Sequence, residues 1–473
     1  MTTGTAPAQQ GAYAPSTSAK AGPDARTRAL LEGPPGALLW RLASPNALAF
    51  LVQASVSMAE VWFVSRLGTV PLAAIALMFP ALMLMQMLAN GALGGAVASA
   101  VARTLGAGER GKAESLIWHA LVIAAIAAAG FYALYLGAGD RILAASGASP
   151  AIAAEALRYG DVLFAGLLPV WTMAMLGAVI RGTGNMKLPA GLMIASAAVQ
   201  VPLAGGLILG AFGLPALGLA GAAVAVVTVS VGSSAILLGA LLRADGPVRL
   251  HLGACRLQAA LFAAIFRVGA LAALSPVFTV LTIVLLNGLV ARYGVAALAG
   301  YGIVARLEFL LVPLVFGIGT ALTALVGVNA GAGQLARAER IGWLGAGAAA
   351  ALTGAVGLLL AVAPGLWVDL FTDDAATRAA GVTYLRIAGP CFAFQGVGLA
   401  LYFASQGAGT VLWPVVATFL RFAVAVGGAW AGLALWGQGL PFVYGCIAAG
   451  MVLYGVLTAA SVALGAWRRA AAP

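Results

Sequence analysis

The chain has 473 residues, of which 62% are hydrophobic and 8% charged, with a net charge of +11. This balance excludes an ordinary soluble domain, about a quarter of whose residues are charged. The basic residues are scattered singly between apolar runs instead of forming a patch, which fits membrane topology signals and not a nucleic-acid surface. Cys255, Cys391 and Cys446 lie far apart, and His119 and His251 are the only histidines, so neither a disulfide framework nor a metal centre is expected.

Residues 1–35 form a Pro-, Ala-, Gly- and Ser-rich tail, expected to be disordered and to lack a signal-peptide core. After it, apolar runs of about 20 residues recur along the chain, each long enough to cross a bilayer. Their apolar character is not a narrow stripe, and they are about twice as long as a barrel strand. About twelve transmembrane helices are predicted, with cores at 46–66, 72–101, 116–137, 160–180, 189–210, 216–242, 266–291, 297–327, 342–363, 383–404, 413–436 and 442–466. If they alternate, seventeen basic residues fall on the side of the termini and five on the other (Arg66, Arg141, Arg158, Arg292 and Arg378). The positive-inside rule then puts both termini in the cytoplasm.

The chain repeats itself. "VSRLGTVPLAA" (64–74) is similar to "VARYGVAALAG" (290–300), "RTLGAGERGKAES" (103–115) to "VNAGAGQLARAER" (328–340), and "RGTGNMKLP" (181–189) to "QGAGTVLWP" (406–414). The matches keep their order at a near-constant offset of about 225 residues. The expected fold is therefore an all-α polytopic membrane protein of two pseudo-symmetric six-helix lobes, repeated in parallel. The lobes are placed at 36–242 and 263–467, joined by a cytoplasmic linker at 243–262 and followed by a short cytoplasmic C-terminus at 468–473. Two such lobes around a central crevice favour a transporter. A receptor or structural membrane protein is the blander reading. An intramembrane enzyme would need a convergent acid–base cluster, and His119 stands alone.

One acid is out of place. Glu60 lies in "SVSMAEVWFVSRLG" (55–68), inside a run with no other charge from Leu42 to Ser65. A carboxylate in hydrocarbon is costly and is expected to face a cavity or a partner. There it can exchange a proton for a cation as the crevice changes sides. The rival reading is a Glu that only reaches outward toward Arg66, about 9 Å further along the helix.

Other polar residues within the predicted spans are candidate cavity groups: Gln53, Ser57, Asn90 and Gln200 in the first half, Asn287 and Gln395 in the second. Each is equally explained as a side chain bonding its neighbours. Arg306 and Glu308 share "IVARLEFLLVPL" but, two apart, not a helix face, so each needs another partner. Asp161 and Arg386 occupy equivalent repeat positions and are candidates for lining the cavity, for pairing across the lobes, or for lying near the outer face. Arg421 lies near the inner end of its span, where it can reach out to water. The methionine-rich run 77–88 suits a pliable binding surface or plain lipid-facing packing. Gly182 and Gly184 form a GxG without a preceding strand, and there is no Walker A motif, so neither phosphate binding nor an ATP motor is expected.

The repeated motifs, with "EVWFVSRLGTVPLAAIAL" and "FGLPALGLAGAAVAVV", resemble the multidrug and toxic compound extrusion (MATE) family from about residue 40 to 465. The resemblance implies a multi-pass transporter of the cytoplasmic (inner) membrane. Such a protein expels cationic amphiphiles in exchange for H+ or Na+, is monomeric, needs no other cofactor and works in a lipid bilayer. Glu60 stands where the DinF-like branch usually has an aspartate, and Pro45 matches that branch's helix-one proline, an expected bend. Gln200 and Ala204 replace its helix-five Asn and Asp, and the helix-seven and helix-ten acids of the NorM-type branch are missing. These departures favour H+ over Na+. The runner-up is a flippase of lipid-linked glycans from the same superfamily.

Overall fold

The computed structural model describes residues 24–243, 246–251 and 257–471. It is 87% helical, and no strand occurs among the described residues. The first span is Pro35–Ser65, the second Thr69–Gly106 and the third Arg110–Ala145. The fourth is a bent pair, Pro150–Ala165 and Leu167–Gly182, meeting at 53°. Spans five to nine are Lys187–Leu209, Leu219–Leu242, Ala259–Ala291, Val295–Gly331 and Leu335–Val362. Spans ten to twelve are Ala375–Ala408, Leu412–Trp436 and Leu440–Ala463. The twelve predicted cores fall on these helices, several of which are longer than a bilayer is thick and extend past it. The first begins eleven residues before its predicted core, carrying Arg41 on an exposed face.

Helix ends follow local chemistry. Ser149 caps the fourth span with Pro150 at its first position, and Asp374 caps the tenth by accepting from Thr377 N at 2.8 Å. The second and eighth spans each start after a glycine with positive φ, Gly68 (108°) and Gly294 (103°), a conformation that strains any residue with a Cβ. Pro45, Pro80, Pro202, Pro276 and Pro313 lie inside continuous helices and do not break their spans. The first runs as one helix across Pro45, so the expected bend there is not a break. The sharp bend recorded within a span is instead at Gly166, three residues before Pro169. Pro390 sits in the 3-10 turn Gly389–Cys391 that interrupts the tenth span. Spans two and eleven each contain a π-helical segment, Leu88–Leu93 and Ala423–Gly428.

The duplication reappears in the packing. A Cβ on Gly182 would stand 2.6 Å from Ala98 O and 2.9 Å from Val101 Cβ; on Gly407 it would stand 2.8 Å from Thr323 O and 3.1 Å from Val326 Cβ. All three residues of the second set are the repeat equivalents of the first. Each half therefore packs its fourth helix against its second through the same glycine.

The ends of spans two, four, eight and ten on the side of the termini are the most deeply buried part of the molecule. Residues 94–102, 174–184, 319–329 and 400–407 are buried without interruption. The halves meet there. Asn46 Nδ2 donates to Thr320 Oγ1 at 2.8 Å, and Gln406 Nε2 donates to Gly91 O at 2.9 Å. Arg103 donates to the carbonyls of Gln406 and Gly407, 3.2 Å each, satisfying the frayed end of the tenth span. Toward the opposite face, stretches such as 53–63 are mostly half-buried or exposed, and the halves touch at Phe79 and Phe309. The seam is sealed on the side of the termini and looser on the other.

The described part of the linker folds onto the third span. Glu114 accepts from Arg249 N and faces His251 Nε2 at 3.3 Å, and Trp118 Nε1 donates to His251 O. His119, fully buried, accepts at Nε2 from Gln258 N at 2.9 Å. Both histidines thus hold the linker. Cys391 and Cys446 are free thiols, while Cys255 lies outside the described residues.

The expectation of a disordered tail through residue 35 needs correction. Residues 1–23 lie outside the described residues, but Ala25–Glu32 is a helix capped by Asp24, whose Oδ1 accepts from Thr27 N at 2.8 Å. Leu30 is 1% exposed there, and that burial, with the cap, orders a segment whose composition alone suggests none.

Candidate functional site

Spans one and five lie side by side and run in the same direction. Asn46 Nδ2 reaches Met186 Sδ near one end, and Phe63 packs on Gly205 near the other. Between these contacts Gln200 Nε2 donates to Glu60 Oε1 at 2.7 Å. Gln200 is 8% exposed and Glu60 is half-buried. An amide donor is the partner a carboxylate accepts from without losing its charge to an ion pair. Tyr159 of the fourth span is buried in the same half. Arg66 stacks over Trp62 instead, its guanidinium carbon 4.7 Å from the ring centroid. Glu60 is thus turned into the first half toward Gln200, and Arg66 has another partner. Gln53 is half-buried one heptad before Glu60 on the same helix face, while Ser57 is exposed.

The second half holds its own half-buried acid, Glu308. Tyr384 Oη donates to Glu308 Oε1 at 2.6 Å, joining spans eight and ten. Tyr384 stacks edge-on with Tyr301 and Tyr444, at 5.5 and 4.9 Å between centroids, and Arg421 lies over Tyr454 at 5.7 Å. Beside Glu308 a small cavity, lined also by Thr353, Phe392, Gln395 and Met451, leaves ≈ 30 Å³ for water centres. That is room for about two waters. Gln395 Oε1 is buried there without a hydrogen-bond partner. Tyr384→Phe should leave an acceptor of Glu308 unsatisfied and cost about 1–3 kcal/mol of stability. The check is a lowered melting temperature in detergent.

The remaining candidates do not converge on one place. Asp161 does not pair with Arg386: it accepts from Tyr135 Oη at 2.7 Å within the first half, and both Asp161 and Arg386 are exposed. Arg306 is exposed and stacks over Phe371 at 5.5 Å, so it does not partner Glu308. Asn90 bonds weakly back to Gln86 O at 3.4 Å within the π-helical segment, and Asn287 is exposed. In the first turn of the tenth span, Arg378 donates to Asp369 of the preceding loop at 2.6 Å and holds that carboxyl below its ordinary range. This exposed pair contributes at neutral pH and fades as the pH falls through the depressed value, with solvent screening keeping it small.

Sequence reasoning passed over the polar contacts of the sealed seam: Asn46, Ser99, Arg103, Thr320 and Gln406. Ser99 donates to Gln406 O and accepts from Arg103. A signal was available at Gln406, which stands at the repeat position of Arg181 in a motif whose two glycines and proline are kept.

A duplicated bundle of parallel six-helix halves, sealed on one face and carrying a half-buried carboxylate in each half, is the architecture of a multi-pass membrane transporter. The MatE family profile matches residues 45–205 and 271–430. The chain belongs to the MATE family, a family of transporters. A "Probable multidrug resistance protein NorM" of Burkholderia mallei is 32% identical over 362 residues, covering 75% of this chain and 76% of that protein. An "FAD transporter" of Shewanella oneidensis is 27% identical, covering 66% and 69%. Among solved structures, one described as an "outward-facing conformation of a multidrug resistance MATE family transporter of the MOP superfamily" superposes with a TM-score of 0.84. It shares 24% identity and covers 93% of this chain and 98% of its own. A MOP superfamily transporter from Pyrococcus furiosus gives 0.85 at 23% identity over 93% and 98%. These two likenesses carry the fold.

Proposed function

We propose that the protein is a proton-coupled exporter of cationic amphiphiles, working by alternating access as a monomer in the cytoplasmic membrane. The observation that carries this reading is Glu60, half-buried and held by the neutral amide of Gln200, with no cationic partner recorded among the described residues. Such a carboxylate binds a proton when desolvated and a cation when charged, so each displaces the other. The excess of basic residues on the side of the termini supports a cytoplasmic position for that side. The sealed seam then faces the cytoplasm and the crevice faces outward. The name carried by the Burkholderia relative supports a multidrug substrate range. The acid in the first span and Pro45 favour likeness to the DinF-like branch.

Na+ is the weaker alternative, because no cluster of three His, Cys, Asp or Glu side chains occurs among the described residues to build a multi-carboxylate cage. A glycan flippase is weaker still. Its anionic substrate needs converging cations, whereas Arg306 and Arg386 are exposed and Arg306 stacks over Phe371.

The test is transport in proteoliposomes with the pH and Na+ gradients imposed separately. A pH gradient alone should drive uptake of a lipophilic cation such as tetraphenylphosphonium, and substrate addition should release protons. Transport driven only by Na+, or by neither gradient, would overturn the proposal.

A further inference from the structure

The short helix Ala25–Glu32 lies across the seam between the two halves. It is continuous with the first half, because the chain turns at Gly33 and Pro34 and enters the first span at Pro35. Its Leu30 side chain, 1% exposed, fills the corner between spans four and five: a Cβ on Gly184 would stand 2.6 Å from Leu30 Cδ1. Gly184 has φ +77°, so glycine there serves both the turn and the seat for Leu30.

Its polar contacts go to the other half. Asn329 Nδ2, at the end of the eighth span, donates to Leu30 O at 3.4 Å. Arg337 Nη2, at the start of the ninth, donates to Gly33 O. These two acceptors are carbonyls at the C-terminal end of the helix, where a cation is favoured and where Gly33 N already closes onto Ala29 O at 3.0 Å. One eight-residue helix therefore rests its apolar side chain on the first half and its carbonyls on the second.

We propose that helix Ala25–Glu32 is a clasp that holds the two halves together on the face of the termini and must release Asn329 and Arg337 before that face opens. The reason is geometric. Spans two and eight cross through Gly106 and Gly331 directly beneath it. A Cβ on Gly331 would lie 2.7 Å from Arg103 Cα, so the halves are already in backbone contact. Parting them carries the end of span eight and the start of span nine away from the corner at Gly184. A short helix tied covalently to the first half cannot follow. Either its carbonyls leave Asn329 and Arg337, or Leu30 leaves its seat. The clasp thus weights the equilibrium toward the state closed on this face.

The inference rests on the alternating-access reading, but its test reads geometry and not transport. Full-length protein with Cys255, Cys391 and Cys446 replaced by Ser would carry spin labels at Lys112 and Arg340, exposed positions beyond spans two and eight. Distances between the labels would be measured in lipid nanodiscs. Without clasp variants a short distance should dominate. Leu30→Ala and Arg337→Gln should each raise a longer-distance population about fivefold, the effect of losing roughly one net interaction. Arg337→Gln leaves the Leu30 seat intact, so it decides the matter even where Leu30→Ala fails to fold. An unchanged distribution in Arg337→Gln, or a dominant long distance in the parent, overturns the clasp. Loss of proton coupling with the distance shift intact would instead overturn the export reading alone.

Discussion

Glu60→Gln is expected to abolish gradient-driven export while leaving the protein folded. Glutamine keeps the length and the acceptor oxygen that Gln200 Nε2 contacts at 2.7 Å, so the joint between spans one and five survives. What disappears is the exchangeable charge. The variant should melt within about 0.5 kcal/mol of the parent, as expected where no packing is lost. Its uptake of a lipophilic cation under a pH gradient should fall at least about tenfold, a loss of at least 1.4 kcal/mol in the coupling. Glu60→Asp should retain part of the activity, because the charge remains and only its reach shortens. Full export and full proton exchange by Glu60→Gln would remove Glu60 from the mechanism.

The second large effect is steric. Gly331→Ala should destabilise the sealed state by about 1–3 kcal/mol, the usual cost of overpacking. The added methyl meets backbone, Arg103 Cα and carbonyl carbon at 2.7 Å each, and not a side chain that can swing away. Gly106→Ala should act alike, since its Cβ would stand 2.9 Å from the Val328 carbonyl carbon. Gly347→Ala is the control: nothing lies within 4 Å of a Cβ at that helix position, so it should be neutral or slightly stabilising. Melting temperature, together with labelling of a cysteine placed at Ala102 by an impermeant thiol reagent, would read both effects. Equal behaviour of Gly331→Ala and Gly347→Ala would contradict the tight crossing.

The twelve spans and the duplication were legible in the sequence because they depend on local composition and on repeated glycine motifs whose turns demand them. Glu60 stood out for the same reason, since a lone acid among apolar residues is visible without a fold. Its partner was visible only as one of several amides. Gln200 differs from Gln53, Asn90 or Asn287 by facing Glu60 across a helix pair, and that register is set by the whole packing of spans one and five. Glu308 was visible, but Tyr384 was not, because a tyrosine 76 residues away carries no mark of the bond it makes. The pairing of Asp161 with Arg386 failed because equivalent repeat positions lie on opposite sides of a pseudo-two-fold axis, and a shared position does not imply contact. The helix at residues 25–32 was hidden by the composition around it: its order comes from a cap, a buried leucine and two donors far along the chain.

The crossing of spans two and eight has a further meaning. Gly106 meets Val328 and Gly331 meets Arg103, and the offset of the repeat exchanges one contact for the other. Ala102 Cβ likewise faces Gly327, its own counterpart, at 2.8 Å from a Cβ built there. Mutual exchange of partners about an axis is the signature of an isologous interface between identical subunits. The joint that closes this molecule is thus the contact a six-helix ancestor would have used to dimerise with its own copy. The halves differ elsewhere: the first carries Glu60 in its first helix, where the second carries Leu286 followed by Asn287.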